Sequence, residues 1–174
     1  MSKLFDLHNK NVLLTGASKG MGLAMAQGLV NHGANVVISS RKLDQCQKAV
    51  ESVNESIGQE KAFAFSCNAS SKDELNALVD FSKSKLGSIT TLACNAGVNS
   101  FFGSMSEIDD ESYDKTMNTN VKSNHWLINM VSPLMEESGG GSIMITSSIA
   151  AFHASETLGA YSISKLAVLG LVRN

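Results

Sequence analysis

Several features that mark other classes of protein are scarce in this chain of 174 residues. Lys and Arg number 14 and Asp and Glu 16, so no excess of one charge points to a nucleic-acid partner or a charged tail. The apolar stretch Leu166–Val172 is far shorter than the ~20 residues that cross a bilayer. Residues 1–10 lack the apolar core of a signal peptide. We therefore expect neither a membrane span nor export.

Cysteine, histidine and proline give further exclusions. Cys46, Cys67 and Cys94 show no CxxC spacing and cannot all pair, which favours reduced thiols and a cytoplasmic location. The four histidines are scattered, and no cysteine or carboxylate spacing completes a metal site, so no metal is expected. Pro133 is the only proline, where average usage of about 5% would give roughly nine. From this deficit we expect a loop-rich part to be absent.

Short apolar runs alternate with amphipathic stretches along the chain. The runs predict five strands, at residues 11–15, 35–39, 62–66, 88–94 and 143–146. The stretches between them predict helices at about 20–32, 43–57 and 73–86, two joined helices from roughly 107 to 137, and a last helix beginning near 161. Apolar strands alternating with helices are typical of a parallel, doubly wound sheet covered on both faces. We predict one three-layer α/β/α domain over residues 1–174.

A glycine-rich turn follows the first predicted strand and opens the first helix. It reads Thr15-Gly-Ala-Ser-Lys-Gly-Met-Gly22. Glycines there permit a tight turn and close approach of a pyrophosphate, and the helix N-terminus supplies free N–H groups and partial positive charge. The turn therefore favours dinucleotide binding. The expected contacts are its residues Gly16, Ser18, Lys19, Gly20, Met21 and Gly22.

The end of the second predicted strand bears on the choice of cofactor. Sites for the unphosphorylated dinucleotide usually place an Asp or Glu about 20 residues past the glycine turn, where it holds the ribose 2′-OH. Here Ser40 lies 18 residues after Gly22, and two cations, Arg41 and Lys42, follow it. Arginine binds a 2′-phosphate through paired charge-assisted hydrogen bonds, and Lys19 is close enough in sequence to assist. The pattern favours NADP(H) over NAD(H), although a solvated basic start to the next helix would look the same.

A tyrosine and a lysine four residues apart form the candidate acid–base pair. On the predicted helix, Tyr161 and Lys165 share one face. An ammonium beside a phenol favours the phenolate form, which suits a phenol to proton transfer. The spacing alone is common on protein surfaces. The presence of Ser148 at the end of the fifth predicted strand, 13 residues before Tyr161, strengthens the interpretation of the pair as catalytic.

Together these motifs resemble the short-chain dehydrogenase/reductase family in order and spacing. The residues that carry the resemblance are the glycine turn, Asn95-Ala-Gly97 after the fourth strand, Asn120-Val121, Ser148, and Tyr161-xxx-Lys165. The resemblance spans nearly the whole chain. It implies a Rossmann fold and hydride transfer between NAD(P)H and a small-molecule carbonyl or alcohol.

The resemblance also implies a role for each residue at the reacting centre. Tyr161 would be the general acid for ketone reduction and the base for alcohol oxidation. Lys165 would assist it and hydrogen-bond the nicotinamide ribose. Ser148, selected over Ser147 by its spacing to Tyr161, would position the substrate oxygen and stabilise its developing charge. Asn120 would hold a water that relays protons towards Lys165.

Further positions match the family's cofactor contacts. Asn95, Ala96 and Gly97 would line the adenosine ribose and tie the central strands together. Asn68 stands where the family commonly has an Asp beside the adenine, and its amide can still hydrogen-bond the ring. The Ser40-Arg41 pair matches the NADP(H)-preferring pattern. Thr146, Tyr161 and Lys165 complete the expected set of cofactor contacts.

The C-terminal region leaves two function classes open. Members of this family are usually longer, so we expect the remaining strands and most of the substrate lid to be absent, with Leu166, Leu169 and Val172 forming an uncovered apolar stripe. The first class is an NADP(H)-dependent carbonyl reductase or alcohol dehydrogenase, with a 3-ketoacyl thioester reductase as the alternative. The second is a catalytically silent cofactor-binding module. The family commonly pairs its long helix and its tyrosine-bearing helix across a dimer axis, which implies a homo-oligomer if that interface survives.

Overall fold

Five parallel strands form the sheet of the computed structural model, which describes residues 3–174. They are β1 (Asn11–Thr15), β2 (Asn35–Ser40), β3 (Ala62–Ser66), β4 (Thr91–Cys94) and β5 (Ser142–Ile145). Their order across the sheet is β3-β2-β1-β4-β5. The helices are α1 (Gly20–Asn31), α2 (Leu43–Ile57), α3 (Lys72–Leu86), α4 (Asp110–Met117), α5 (Ser123–Glu137) and α6 (Gly159–Arg173).

Alternate residues of each inner strand face opposite layers of helices. Val12 and Leu14 of β1 are fully buried in a cluster with residues of α1 and α2. Leu13, between them, is buried in a second cluster with residues of α3 and α5. Such alternation follows from the two-residue period of a strand. The predicted three-layer, doubly wound arrangement is confirmed.

The strand order reverses at β1, which pairs with β2 on one side and β4 on the other. The chain therefore leaves the carboxyl ends of β1 and β4 in opposite directions and opens a crevice between the loops. Ligands of open α/β sheets bind in such a crevice. This position brings the glycine turn after β1 next to the loop that begins at Asn95.

Three predicted boundaries are wrong by two or three residues. β4 begins at Thr91 rather than residue 88, because the residues before it are held by the Asn11 side chain, whose amide donates to Leu86 O and Ser88 Oγ. α4 begins at Asp110 rather than near residue 107, because the Asp109 carboxylate caps it. α6 begins at Gly159, before Tyr161.

A π-turn joins α4 to α5. It spans Asn118–Lys122, and the N–H of Ser123 donates to the carbonyl of Asn118, five residues back. One residue is thereby added relative to a continuous α-helix, which rotates the faces on either side by about 100°. Thr119 and Asn120 are buried within the turn.

The sheet edge at β5 and the outer side of α6 carry exposed apolar side chains. Leu166 is 54% exposed and Val172 62% exposed, whereas Leu169 is half-buried. The expected stripe is thus exposed at two of its three positions. No helix within residues 3–174 is long and apolar enough to cross a membrane. In the same residues, no three His, Cys, Asp or Glu side chains lie together as a metal site would require.

Candidate active site

Two adjoining clefts open at the carboxyl ends of the strands. The larger has a volume of about 1080 Å³ and extends from the glycine turn past the ends of β2 and β3. The smaller, of about 390 Å³, is lined by Tyr161 and Lys165 of α6. Met21, Asn95, Gly97 and Val98 line both. The two clefts therefore adjoin along these four residues.

The glycine turn packs too tightly for side chains at two of its positions. Gly16 has a φ of 65°, and a Cβ there would lie 2.7 Å from the Cα of Ala96. A Cβ on Gly22 would collide with the Gly16 carbonyl oxygen. α1 begins after Lys19 without a side-chain cap, so its first N–H groups have no capping acceptor. The turn fits the pyrophosphate of a dinucleotide, which supplies those acceptors.

Asn95 fastens three strand ends together beneath the clefts. Its Nδ2 donates to the carbonyl of Gly16 over 2.9 Å, and its Oδ1 accepts from Thr146 Oγ1 over 3.1 Å. The backbone N–H groups of Asn95 and Ala96 both donate to Thr15 Oγ1. These bonds connect the ends of β1, β4 and β5. The floor of the site is consequently held independently of any ligand.

The larger cleft is lined by cations and by no carboxylate of the residues described. Lys19 and Arg41, both predicted, lie on its wall, and so do Lys42 and Lys115. Ser40 also lines it, with its hydroxyl 3.1 Å from the thiol of Cys46. Such a wall attracts an anionic ligand.

Asn68 and the loop that follows it form another part of the larger cleft. The Asn68 side chain accepts a hydrogen bond from the N–H of Ser70, and the Ser70 hydroxyl lies 2.7 Å from Thr119 Oγ1 in the π-turn. Sequence reasoning did not predict Thr119, Lys115 or Gln45 as lining residues. The four-residue spacing of Lys115 and Thr119 places them on one helix face, but nothing in the sequence shows that this face meets the cleft.

Tyr161 and Lys165 share the wall of the smaller cleft. Lys165 Nζ lies 5.7 Å from the centroid of the Tyr161 ring and donates to the carbonyl of Thr146 over 2.8 Å. The Lys165 side chain is almost fully buried, and this burial lowers the pKa of its ammonium from the ordinary value. The predicted acid–base pair is thus brought together beside the larger cleft.

The two serines after β5 have different surroundings. Ser147 lines the smaller cleft, and its hydroxyl donates to the carbonyl of Lys165 over 2.7 Å. Ser148 Oγ accepts from the N–H of Ala150 and caps a short 3-10 turn, Ile149–Ala151. Ser148 is not among the residues that line either cleft. Its catalytic role therefore stays a prediction.

Asn120 joins α6 to the loop after β4. Its Oδ1 accepts from the N–H of Val98, and its Nδ2 donates to the carbonyl of Val98 and to Ser164 Oγ. The Asn120 carbonyl accepts from Asn124 Nδ2 over 2.7 Å. The side chain thus clamps two walls of the smaller cleft, and its role in holding a water stays a prediction.

Two loops border the smaller cleft on its outer side. They are joined by a hydrogen bond of 3.1 Å from the N–H of Gly103 to the carbonyl of Thr157. Leu158 lines the cleft, while Phe102 and Phe152 on the same loops are about 70% exposed, at 74% and 69%. His153 is exposed and does not line the cleft. The cleft therefore has an apolar border.

Known proteins are similar to this chain over nearly its whole length. The dehydrogenase/reductase SDR family member 4 of Sus scrofa is 37% identical over 169 residues, covering 97% of this chain and 60% of the relative. Its Homo sapiens counterpart is 38% identical over 174 residues, covering 99% and 62%. The chain thus spans less than two thirds of the length of these relatives.

A solved structure is similar over the same extent. A 7α-hydroxysteroid dehydrogenase complexed with NADH and 7-oxo glycochenodeoxycholic acid aligns with a TM-score of 0.92 and 35% identity, over 98% of this chain and 65% of that one. The sequence model of the family described as short chain dehydrogenase matches residues 10–174. The chain therefore belongs to the short-chain dehydrogenase family of oxidoreductases.

Proposed function

We propose that this chain binds NADP(H) and carries the acid–base residues for interconverting a carbonyl and a secondary alcohol. The observation that supports this best is the position of Tyr161 and Lys165 on a cleft that shares four lining residues with the larger one. A bound nicotinamide cofactor supplies or accepts the hydride. The glycine turn and Asn95 would hold the cofactor, since the turn leaves room only for backbone at Gly16.

The chain's own residues would then manage the proton and the substrate oxygen. Tyr161 donates its phenolic proton to the carbonyl oxygen during reduction and removes it from the alcohol during oxidation. The Lys165 ammonium, anchored on the Thr146 carbonyl, stabilises the phenolate left behind. Ser148 donates a hydrogen bond to the substrate oxygen as charge develops there.

The preference for NADP(H) rests on the charges that line the larger cleft. A 2′-phosphate adds negative charge, and Arg41 with Lys19, Lys42 and Lys115 offers four cations against no described carboxylate. The similar 7α-hydroxysteroid dehydrogenase was complexed with NADH. The proposed preference therefore depends on this chain's own side chains, Arg41 first among them.

Replacing Arg41 with Ala should weaken NADPH binding by about 10–100-fold, since hydrogen bonds to a charged group contribute roughly 1.5–3 kcal/mol. NADH, which has no 2′-phosphate, should bind nearly as before. Titrating each cofactor into the protein while following its intrinsic fluorescence measures the two dissociation constants. Lys48→Ala on α2 removes an exposed cation outside the cleft and is the matched control. Equal losses for the two cofactors would contradict the proposed contact.

The loops at the smaller cleft favour an apolar, uncharged substrate. Residues 98–109 and 147–158 include no Lys or Arg, whereas they carry Glu107, Asp109 and Glu156. The phosphorylated carrier of a 3-ketoacyl group would meet no cation on these two loops. Leu158 and the exposed Phe102 and Phe152 offer apolar surface instead. We therefore propose hydrophobic ketones or aldehydes ahead of acyl thioesters.

Consumption of NADPH in the presence of aliphatic and aromatic ketones tests the proposed function. We expect turnover to be fastest with apolar ketones and slow with a 3-ketoacyl thioester. Thermal unfolding with NADPH is measured alongside, because ligand at about 100 times its dissociation constant adds roughly 2.7 kcal/mol of stability. Stabilisation by NADPH without turnover of any carbonyl would instead support a catalytically silent cofactor-binding module.

A further inference from the structure

A buried hydroxyl next to Lys165 links α6 to Asn120. Ser164 is fully buried on α6. Its Oγ accepts from Asn120 Nδ2 over 2.9 Å and donates to the carbonyl of Tyr161 over 2.7 Å. Asn120 in turn holds both backbone polar groups of Val98. A continuous chain of hydrogen bonds thus runs from Val98, which lines both clefts, to the backbone of Tyr161.

This chain acts on the segment of α6 that carries both acid–base residues. Tyr161 and Lys165 lie on either side of Ser164 in the same helical turn. Movement of that turn relative to the loop after β4 would change the distance from Tyr161 to anything bound in the larger cleft. Positions of reacting groups matter steeply, since a misplacement of about 1 Å can cost roughly 100-fold in rate.

A second serine on the same turn provides a contrast. Ser162 Oγ is also shielded from solvent, yet it has no hydrogen-bond partner. Two hydroxyls of the same residue type, two positions apart, therefore differ in the bonds that they make. Loss of Ser164 Oγ removes two hydrogen bonds, and loss of Ser162 Oγ removes none.

We infer that Ser164 is a positioning residue, which aligns Tyr161 and Lys165 with the larger cleft by linking α6 to Asn120. The inference rests on the proposed function for its kinetic consequence. Ser164 touches neither cleft, so it acts through its two neighbours and not on a ligand. Its loss should lower kcat while KM for NADPH stays nearly unchanged.

The kinetic test compares Ser164→Ala with Ser162→Ala. With saturating NADPH and a ketone that the chain reduces, Ser164→Ala should lower kcat by about 10–100-fold. The kcat of Ser162→Ala should stay within about twofold of that of the unchanged chain. In Asn120→Ala, where the link is already broken, adding Ser164→Ala should cause little further loss. Equal kcat values for the two serine variants, or additive losses with Asn120→Ala, would overturn the assignment.

Amide hydrogen exchange gives a readout that does not depend on turnover. Ser164→Ala should raise exchange in residues 162–168 of α6 by about tenfold, with β1 and β2 unaffected, whereas Ser162→Ala should change neither region. Unchanged exchange in α6, or an equal rise throughout the sheet, would overturn the positioning role. If the unchanged chain binds NADPH but turns over no carbonyl, the proposed function fails, and the exchange comparison still decides the role of Ser164.

Discussion

Tyr161→Phe should reduce carbonyl turnover by about 10²–10⁴-fold, the range that a positioned proton donor contributes. Phenylalanine keeps the ring beside the Lys165 ammonium but has no hydroxyl to donate. NADPH affinity and the thermal midpoint should change little, because the turn and the strand ends that would hold the cofactor remain intact. Steady-state kinetics and cofactor titration of the same preparation measure both quantities.

Tyr113→Phe is the matched control, since the chain has only two tyrosines. Tyr113 lies on α4 and lines neither cleft. It should retain the turnover of the unchanged chain. Full activity in Tyr161→Phe would remove this residue from the chemistry, and a parallel loss of NADPH binding would show that the phenol acts in cofactor binding instead.

Gly16→Ala should destabilise the chain by about 2–5 kcal/mol. A left-handed backbone costs an L-residue roughly 1–2 kcal/mol, and forcing a methyl group into a packed site costs about 1–3 kcal/mol more. At Gly16 both apply, since its φ is 65° and the new Cβ would lie 2.7 Å from a backbone Cα. Thermal unfolding should show a midpoint lower by roughly 10 °C, with weaker stabilisation by NADPH.

Gly28→Ala is the control, because it replaces the same residue type at a position where a side chain has room. Gly28 lies within α1, and a Cβ there would meet no atom within 4 Å. Alanine in a helix interior is favoured over glycine by about 0.5–1 kcal/mol, so this variant should be slightly more stable than the unchanged chain. A Gly16→Ala chain as stable as Gly28→Ala would contradict the packing described at the turn.

The architecture was predictable because continuous apolar runs mark its strands and helically spaced apolar residues mark its helices. The runs that contain Val12 to Leu14 and Val36 to Ile38 face helices on both sides, so they read as buried parallel strands. The glycine turn was equally clear, because close backbone approach requires glycine. Tyr161 and Lys165 were placed together by helical spacing alone.

The remaining features depend on contacts between segments distant in sequence. Lys115 of α4 and Thr119 of the π-turn meet the larger cleft only because these two segments pack beside it. The bond from Asn120 to Ser164 spans 44 positions and leaves no pattern that periodicity detects. Apolar spacing does not determine where α4 and α6 begin, at Asp110 and Gly159, because the start of a helix depends on its cap and on the preceding loop.

The π-turn between α4 and α5 constrains how the chain can vary in length. Deleting one residue from Asn118–Lys122 would restore an ordinary α-helix and rotate one side against the other by about 100°. Asn120 could then no longer face Val98 while Leu127 and Val131 stayed in the core. Insertions and deletions in related sequences should therefore avoid this segment and accumulate at exposed turns such as Gly139–Gly140.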